Sequence, residues 1–234
     1  MTEQRVTVTI TDGVAEVRLN RPDKRNALDG AMFAGLITAG ERLSAQVDLP
    51  PGHGPARATG QRAAYVWTEI PVPVIAALTG NALGGGLQIA LGADIRIVAP
   101  DARLSVLEIR WGMVPDMTGT QLLPQLVGRD VAKELTFTGR MVSGAEAVAL
   151  GLATRVDPDP RQAALELARS IAGRSPHAIR AAKRLLDLAG RVDMETGFAA
   201  EQKEIGALIG SPNQAEAVAA EFEQRPPRFT DPEP

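Results

Sequence analysis

The stretch Pro73-Val-Ile-Ala-Ala-Leu-Thr-Gly-Asn-Ala-Leu-Gly-Gly-Gly-Leu-Gln-Ile-Ala-Leu-Gly-Ala-Asp94 decides how the rest of the chain is read. Val74 to Leu78 is a short apolar run of β type, Thr79-Gly80-Asn81 signals a turn, and Leu87 to Leu91 is an apolar run that reads as a buried helix. Gly84, Gly85 and Gly86 stand at the junction. Without Cβ atoms they let a ligand reach the main chain. The N–H groups in the first turn of a helix lack partners inside it and can point at an oxygen that carries negative charge. This is the makeup of an oxyanion site; tight packing of helix against strand is the other use of such glycines. The order is not G-x-x-x-x-G-K-[ST], nor G-x-G-x-x-G with an acid about twenty residues on, nor G-x-S-x-G. A phosphate loop, a dinucleotide fold and a serine nucleophile elbow are therefore unsupported.

Around this centre lie 234 residues, 44% hydrophobic and 23% charged, enough for one sizeable domain with a small appendage. No apolar run approaches the ~18 residues of a membrane helix, and Met1-Thr-Glu-Gln-Arg5 lacks the character of a signal peptide, so a cytoplasmic setting is expected. The chain has no cysteine, and its two histidines, His53 and His177, show no metal-ligand spacing. No metal site is expected. A net charge of −3 gives no reason to expect nucleic acid.

Towards the N-terminus, Val6, Val8 and Ile10 alternate with polar residues, Asp12-Gly13 is a two-residue turn signal, and Val14, Val17 and Leu19 follow. This predicts a β-hairpin. Asn20-Arg-Pro-Asp-Lys-Arg-Asn26 is a polar loop with Asp29 as N-cap of a helix whose apolar face carries Leu28, Met32, Leu36, Ala39 and Leu43. Another helix is expected from Ala56 to Glu69, ended by Ile70-Pro-Val-Pro73. Beyond the centre, Asp94 to Val98 and Arg103 to Val106 read as strands, and the last third is helical, with apolar faces broader than a lone helical hairpin can cover.

Several phrases of the chain are similar to signatures of the enoyl-CoA hydratase/isomerase (crotonase) superfamily, and in the same order. They are Leu19-Asn-Arg-Pro-x-x-x-Asn26-Ala-Leu, Ile75-Ala-Ala-x-x-Gly-x-Ala-Leu-Gly-Gly-Gly-x-x-Ile-Ala-x-x-x-Asp94-Ile-Arg, Gly112-x-x-Pro-x-x-x-Gly-Thr-Gln121, Thr138-Gly-Arg-x-x-Ser-Gly-x-Glu-Ala147 and Gly151-Leu. The resemblance implies an α/β (α+β) fold, a crotonase-like ββα superhelix. Residues 1–158 would form the catalytic core, and residues 159–234 would form helices that pack subunits into trimers or paired trimers. It implies an acyl-CoA thioester as substrate, with coenzyme A as part of that substrate and no separate cofactor.

By the same resemblance the Gly85 N–H is an oxyanion donor beside Gly84, and Arg21 and Lys24 are candidates for the nucleotide end of coenzyme A. Three acidic positions of the superfamily correspond here to Gln88, Glu108 and Asp116. An amide cannot accept and return a proton at neutral pH. Efficient hydration in the superfamily keeps both acids of the first pair, whereas a double-bond shift needs one shuttle. The expectation is an isomerase-type enzyme with Glu108 as catalytic residue and Asp116 as second acid; a 2-enoyl-CoA hydratase and a non-catalytic acyl-CoA-binding protein are the alternatives.

One part of the pattern is missing. Superfamily members continue after the first helix with a buried strand and an Ala-Gly-x-Asp turn that supplies the other oxyanion donor, but no β-branched run and no such turn occurs between Ala45 and Gly60. Losing an interior strand leaves its neighbours' main-chain groups unpaired, at about 1–3 kcal/mol for each buried group. The sequence is therefore expected to be interrupted between about Ser44 and Gly54.

Overall fold

The structure, a computed structural model, describes residues 4–45 and 55–232. The interruption expected between Ser44 and Gly54 falls almost wholly on residues 46–54, outside the described residues.

The chain divides into two compact units. The first comprises the residues up to Ile70 together with Val74–Glu166, and the second Pro71–Pro73 with Leu167–Pro234. In the first, β1 (Val6–Thr11) and β2 (Val14–Leu19) form the expected hairpin, paired from Val6 with Leu19 to Thr11 with Val14. Asp12 and Gly13 both have positive φ, 49° and 74°, as a two-residue hairpin turn that matches the strands' twist requires. Asp29 caps α1 (Gly30–Ala45), its Oδ1 accepting from the Met32 N–H at 2.8 Å, and Met32 and Leu36 are fully buried. The helix expected from Ala56 to Glu69 forms as α2 (Thr59–Tyr65) followed by a 3₁₀ turn, Val66–Glu69.

The central stretch then opens a spiral of strands and helices. β3 (Ile75–Leu78), β4 (Asn81–Leu83) and α3 (Gly85–Leu91) make one turn, and β5 (Ile95–Val98) and β6 (Arg103–Ser105) begin the next. β5 lies parallel to β3, with Ile75 beside Ile95, and β6 parallel to β4, with Asn81 beside Arg103. Each coil of chain thus stacks on the one before, which is the ββα superhelix expected. β4 forms where the sequence signals only a turn.

After α4 (Gly119–Val127) and α5 (Arg129–Thr138), β7 (Val142–Ser143) adds antiparallel to β6; after α6 (Gly144–Ala149), β8 (Arg155–Val156) adds parallel to β5. Leu78, Leu87, Leu91, Val98, Leu104, Leu123, Leu135, Val142 and Leu152 fill the space between these layers. Gly144 sets one close approach: a Cβ there would lie 2.0 Å from the Ala99 carbonyl oxygen. Gly144→Ala should therefore cost at least about 1–3 kcal/mol through overpacking, and several degrees of Tm in a chain of this size. Unchanged thermal unfolding would contradict this packing.

The sheet orders are β1-β2, β3-β5-β8 and β4-β6-β7. Among the described residues, β3 has β5 as its sole partner and β2 has β1, so both present an open edge, and Ala77 on β3 is exposed.

The second unit holds the end of α7 (Pro160–Ala172), then α8 (Pro176–Leu188), α9 (Met194–Leu208) and α10 (Pro212–Phe222). Serines or an aspartate cap the last three: Ser175, Asp193 and Ser211 accept from the N–H three residues on. The proline-rich tail is tied down. Glu216 accepts from the two terminal guanidinium nitrogens of Arg225 and from the Arg228 N–H, which holds its carboxyl down to about 2. The buried Asn213 binds Thr230 from both its amide atoms and contacts Nδ1 of His177. Leu186, Met194, Phe198, Ile209 and Phe222 remain more than half exposed. No helix among the described residues is long and apolar enough to cross a membrane.

Candidate active site

The site is built where the first two coils of the spiral meet. The Gly84 N–H donates to the Ser105 carbonyl at 2.9 Å, extending the β4–β6 ladder by one residue. At φ 52° and ψ −121° Gly84 then turns the chain into α3, a conformation that side-chain-bearing residues rarely adopt. The N–H groups of Gly85 and Gly86 make no hydrogen bond among the described residues. A Cβ on Gly85 would come 2.8 Å from both Leu28 Cδ1 and Met117 Sδ, so this backbone is closely walled by apolar side chains.

One turn into α3, Gln88 is 1% exposed. Its Nε2 donates to Oε1 of Glu108 at 2.6 Å, and its Oε1 accepts from the Met117 N–H at 2.9 Å and the Gly119 N–H at 3.0 Å. Glu108 opens a 3₁₀ turn, Glu108–Trp111, directly after β6, and is 7% exposed. Its other oxygen, Oε2, is buried and has no hydrogen-bond partner among the described residues. A Cβ on Gly84 would sit 3.1 Å from Glu108 Oε1. The glycine turn, the amide and the carboxylate therefore form one contiguous cluster.

The other candidates lie differently. Asp116 is exposed, between the buried Pro115 and Met117. Arg21 donates to the Ala27 carbonyl at 3.0 Å and pairs with Asp29 at 3.1 Å, so its guanidinium is already engaged; Lys24 is exposed in the 3₁₀ turn Pro22–Lys24. Leu28, expected on the apolar face of the first helix, instead precedes α1 and walls Gly85, while Met117 and Gly119 join the site with no role expected of them. The motif around Asn26-Ala-Leu and the Gly112 phrase contain all three positions, but only the folded geometry shows what they touch.

A buried carboxylate with one free oxygen, beside unbonded backbone donors, can exchange a proton with a carbon whose neighbouring carbonyl oxygen takes up charge. Comparison with known proteins fits that chemistry. The sequence model described as enoyl-CoA hydratase/isomerase matches residues 56–232. The chain is similar to the mitochondrial enoyl-CoA hydratase domain-containing protein 2 of Bos taurus, 35% identical over 93% of this chain and 84% of that one. That alignment spans 249 positions, so about thirty of them have no counterpart here. It is also 39% identical to the mitochondrial methylglutaconyl-CoA hydratase of Mus musculus over 69% of this chain, a match that spans about half (53%) of that protein. The crystal structure of an enoyl-CoA hydratase from Bacillus anthracis superposes with a TM-score of 0.89 at 29% identity, covering 98% of this chain and all of that one. With the family model covering most of its length and the same coils of strand and helix throughout, the chain belongs to the enoyl-CoA hydratase/isomerase family.

Proposed function

We propose that the protein acts on an acyl-CoA thioester through an oxyanion-stabilised enolate and shifts a carbon–carbon double bond in preference to hydrating it. The observation that carries this reading is the chemistry at Gln88. Its carbonyl oxygen is occupied by two backbone N–H groups and its amide nitrogen faces Glu108, so the place of a second acid holds a group that neither takes up nor returns a proton. Glu108 is the single buried carboxylate of the cluster.

In the proposed reaction Glu108 removes a proton from C2 of a 3-enoyl thioester, and the electron pair moves into a dienolate whose oxygen is held by the Gly85 N–H. The same carboxylic acid then delivers the proton to C4, leaving the double bond between C2 and C3. A fixed backbone donor of this kind is worth roughly 3–4 kcal/mol in the transition state. Gly84 supports this donor from the preceding turn, Asp116 is the candidate second acid, and Arg21 and Lys24 are the candidates near the nucleotide. Leu186, Met194, Phe198, Ile209 and Phe222 support a homotrimer or a dimer of trimers, since an obligate interface typically covers at least ~2,000 Å².

A second reading, an acyl-CoA-binding protein without turnover, is favoured by the open edge of β3 among the described residues and by the absence of an Ala-Gly-x-Asp turn from the sequence between Ala45 and Gly60. A panel of 2-enoyl and 3-enoyl thioesters with product identification separates the two. Conversion of 3-enoyl to 2-enoyl substrates faster than hydration is the expected result. Rapid 3-hydroxyacyl formation would overturn the preference, and binding with no product would favour the second reading.

A further inference from the structure

Gln88 stands where the superfamily carries an acid, yet its contacts give it a defined task of its own. Because Oε1 accepts from the N–H groups of Met117 and Gly119, which can only donate, the amide has one orientation, with Nε2 towards Glu108. A donor against Glu108 Oε1 requires that oxygen to be an acceptor. The carbonyl oxygen of a carboxylic acid is its better acceptor, so this contact favours placing any proton that Glu108 carries on Oε2, the buried oxygen without a partner among the described residues.

The turn that Gln88 holds is strained. Thr118, between the two donating residues, has φ 73°, unusual for a β-branched side chain, and its buried Oγ1 has no partner among the described residues. Convergence of the two flanking N–H groups on one amide oxygen fixes this conformation. A Cβ at Gly119 would lie 2.7 Å from that oxygen, so glycine is what admits it. No charged side chain among the described residues bonds to Glu108. Arg110 in its own turn, Arg103 on β6, Arg129, Asp130, Lys133 and Glu134 on α5, and Asp116 are all exposed, and Glu134 pairs with Arg140.

We propose that Gln88 is a positioning residue that assigns Oε2 as the proton-carrying atom of Glu108 and clamps the strained turn Met117–Gly119 beside it. The proposal rests on the reading of Glu108 as the proton shuttle. Two variants test it, with Glu108→Gln as reference. Gln88→Met keeps the volume and removes donor and acceptor; kcat should fall about 10- to 100-fold, the equivalent of one hydrogen bond to a charged group, with KM little changed. Gln88→Glu keeps an acceptor for Met117 and Gly119 but sets a second carboxylate against Oε1, where 2.6 Å now separates amide and acid. Two carboxylates so close hold one proton between them. The acid limb of the kcat/KM profile should move to higher pH, a change that mere packing would not produce. Should Gln88→Met fail to fold, the Gln88→Glu profile decides. Native kcat in Gln88→Met, or a Gln88→Glu profile that superimposes on the native one, overturns the proposal. If this occurs while Glu108→Gln is inactive, the reading of Glu108 stands; a fully active Glu108→Gln removes that reading itself.

Discussion

Glu108→Gln is expected to lower turnover by about 10²–10⁴-fold, the usual worth of a general acid–base group, and to leave the fold and acyl-CoA binding in place. The substitution preserves size, and an amide oxygen can still accept from Gln88 Nε2, so the 2.6 Å contact survives in one orientation of the new amide. In the proposed mechanism what is lost is the proton-carrying oxygen. Steady-state rates on each substrate of the native protein, together with the Kd of a non-reactive acyl-CoA, check both halves. Native turnover in the variant would remove Glu108 from the mechanism, while a parallel loss of binding would point to a collapsed site.

Gly84→Ala is expected to have an effect of similar size by another route. At φ 52° and ψ −121° an alanine costs about 1–3 kcal/mol of backbone strain. The new Cβ would also press on Glu108 Oε1 at 3.1 Å. Relief requires either the glycine turn or the carboxylate to move, and misplacement of a reacting group by about 1 Å can cost 10²-fold in rate. A loss of kcat together with a lowered Tm is the expected pair of observations. A stable variant of native activity would show that the turn is not held as described.

Much of the fold was legible because it is local. The Asp12-Gly13 turn, the Asp29 cap and the apolar faces of α1 and α3 are written in neighbouring residues and formed as read. β4 was not, because three residues, Asn81 to Leu83, carry no periodicity, and their strand character comes from pairing with Arg103 to Ser105. In the site, the glycines and Glu108 could be found through motif resemblance. The contacts of Gln88 could not: its partners lie 20, 29 and 31 residues away, and which amide atom meets which group is decided by tertiary packing. The contacts of Arg21 were hidden in the same way, since nothing in its loop announces that the guanidinium meets the Ala27 carbonyl and Asp29. The anchoring of the tail by Asn213 and Glu216 was equally hidden, since a proline-rich end gives no local sign of the side chains that will hold it.

In the proposed mechanism one carboxylate moves a proton between carbons of a bound thioester. The most direct test is to incubate the native protein with a 3-enoyl-CoA in D₂O and follow the carbon-bound protons by NMR. The expected product is 2-enoyl-CoA, with deuterium entering at C2 of the remaining substrate or at C4 of the product. Recovery of the 3-enoyl-CoA unchanged and free of deuterium, under conditions where it is bound, would contradict it.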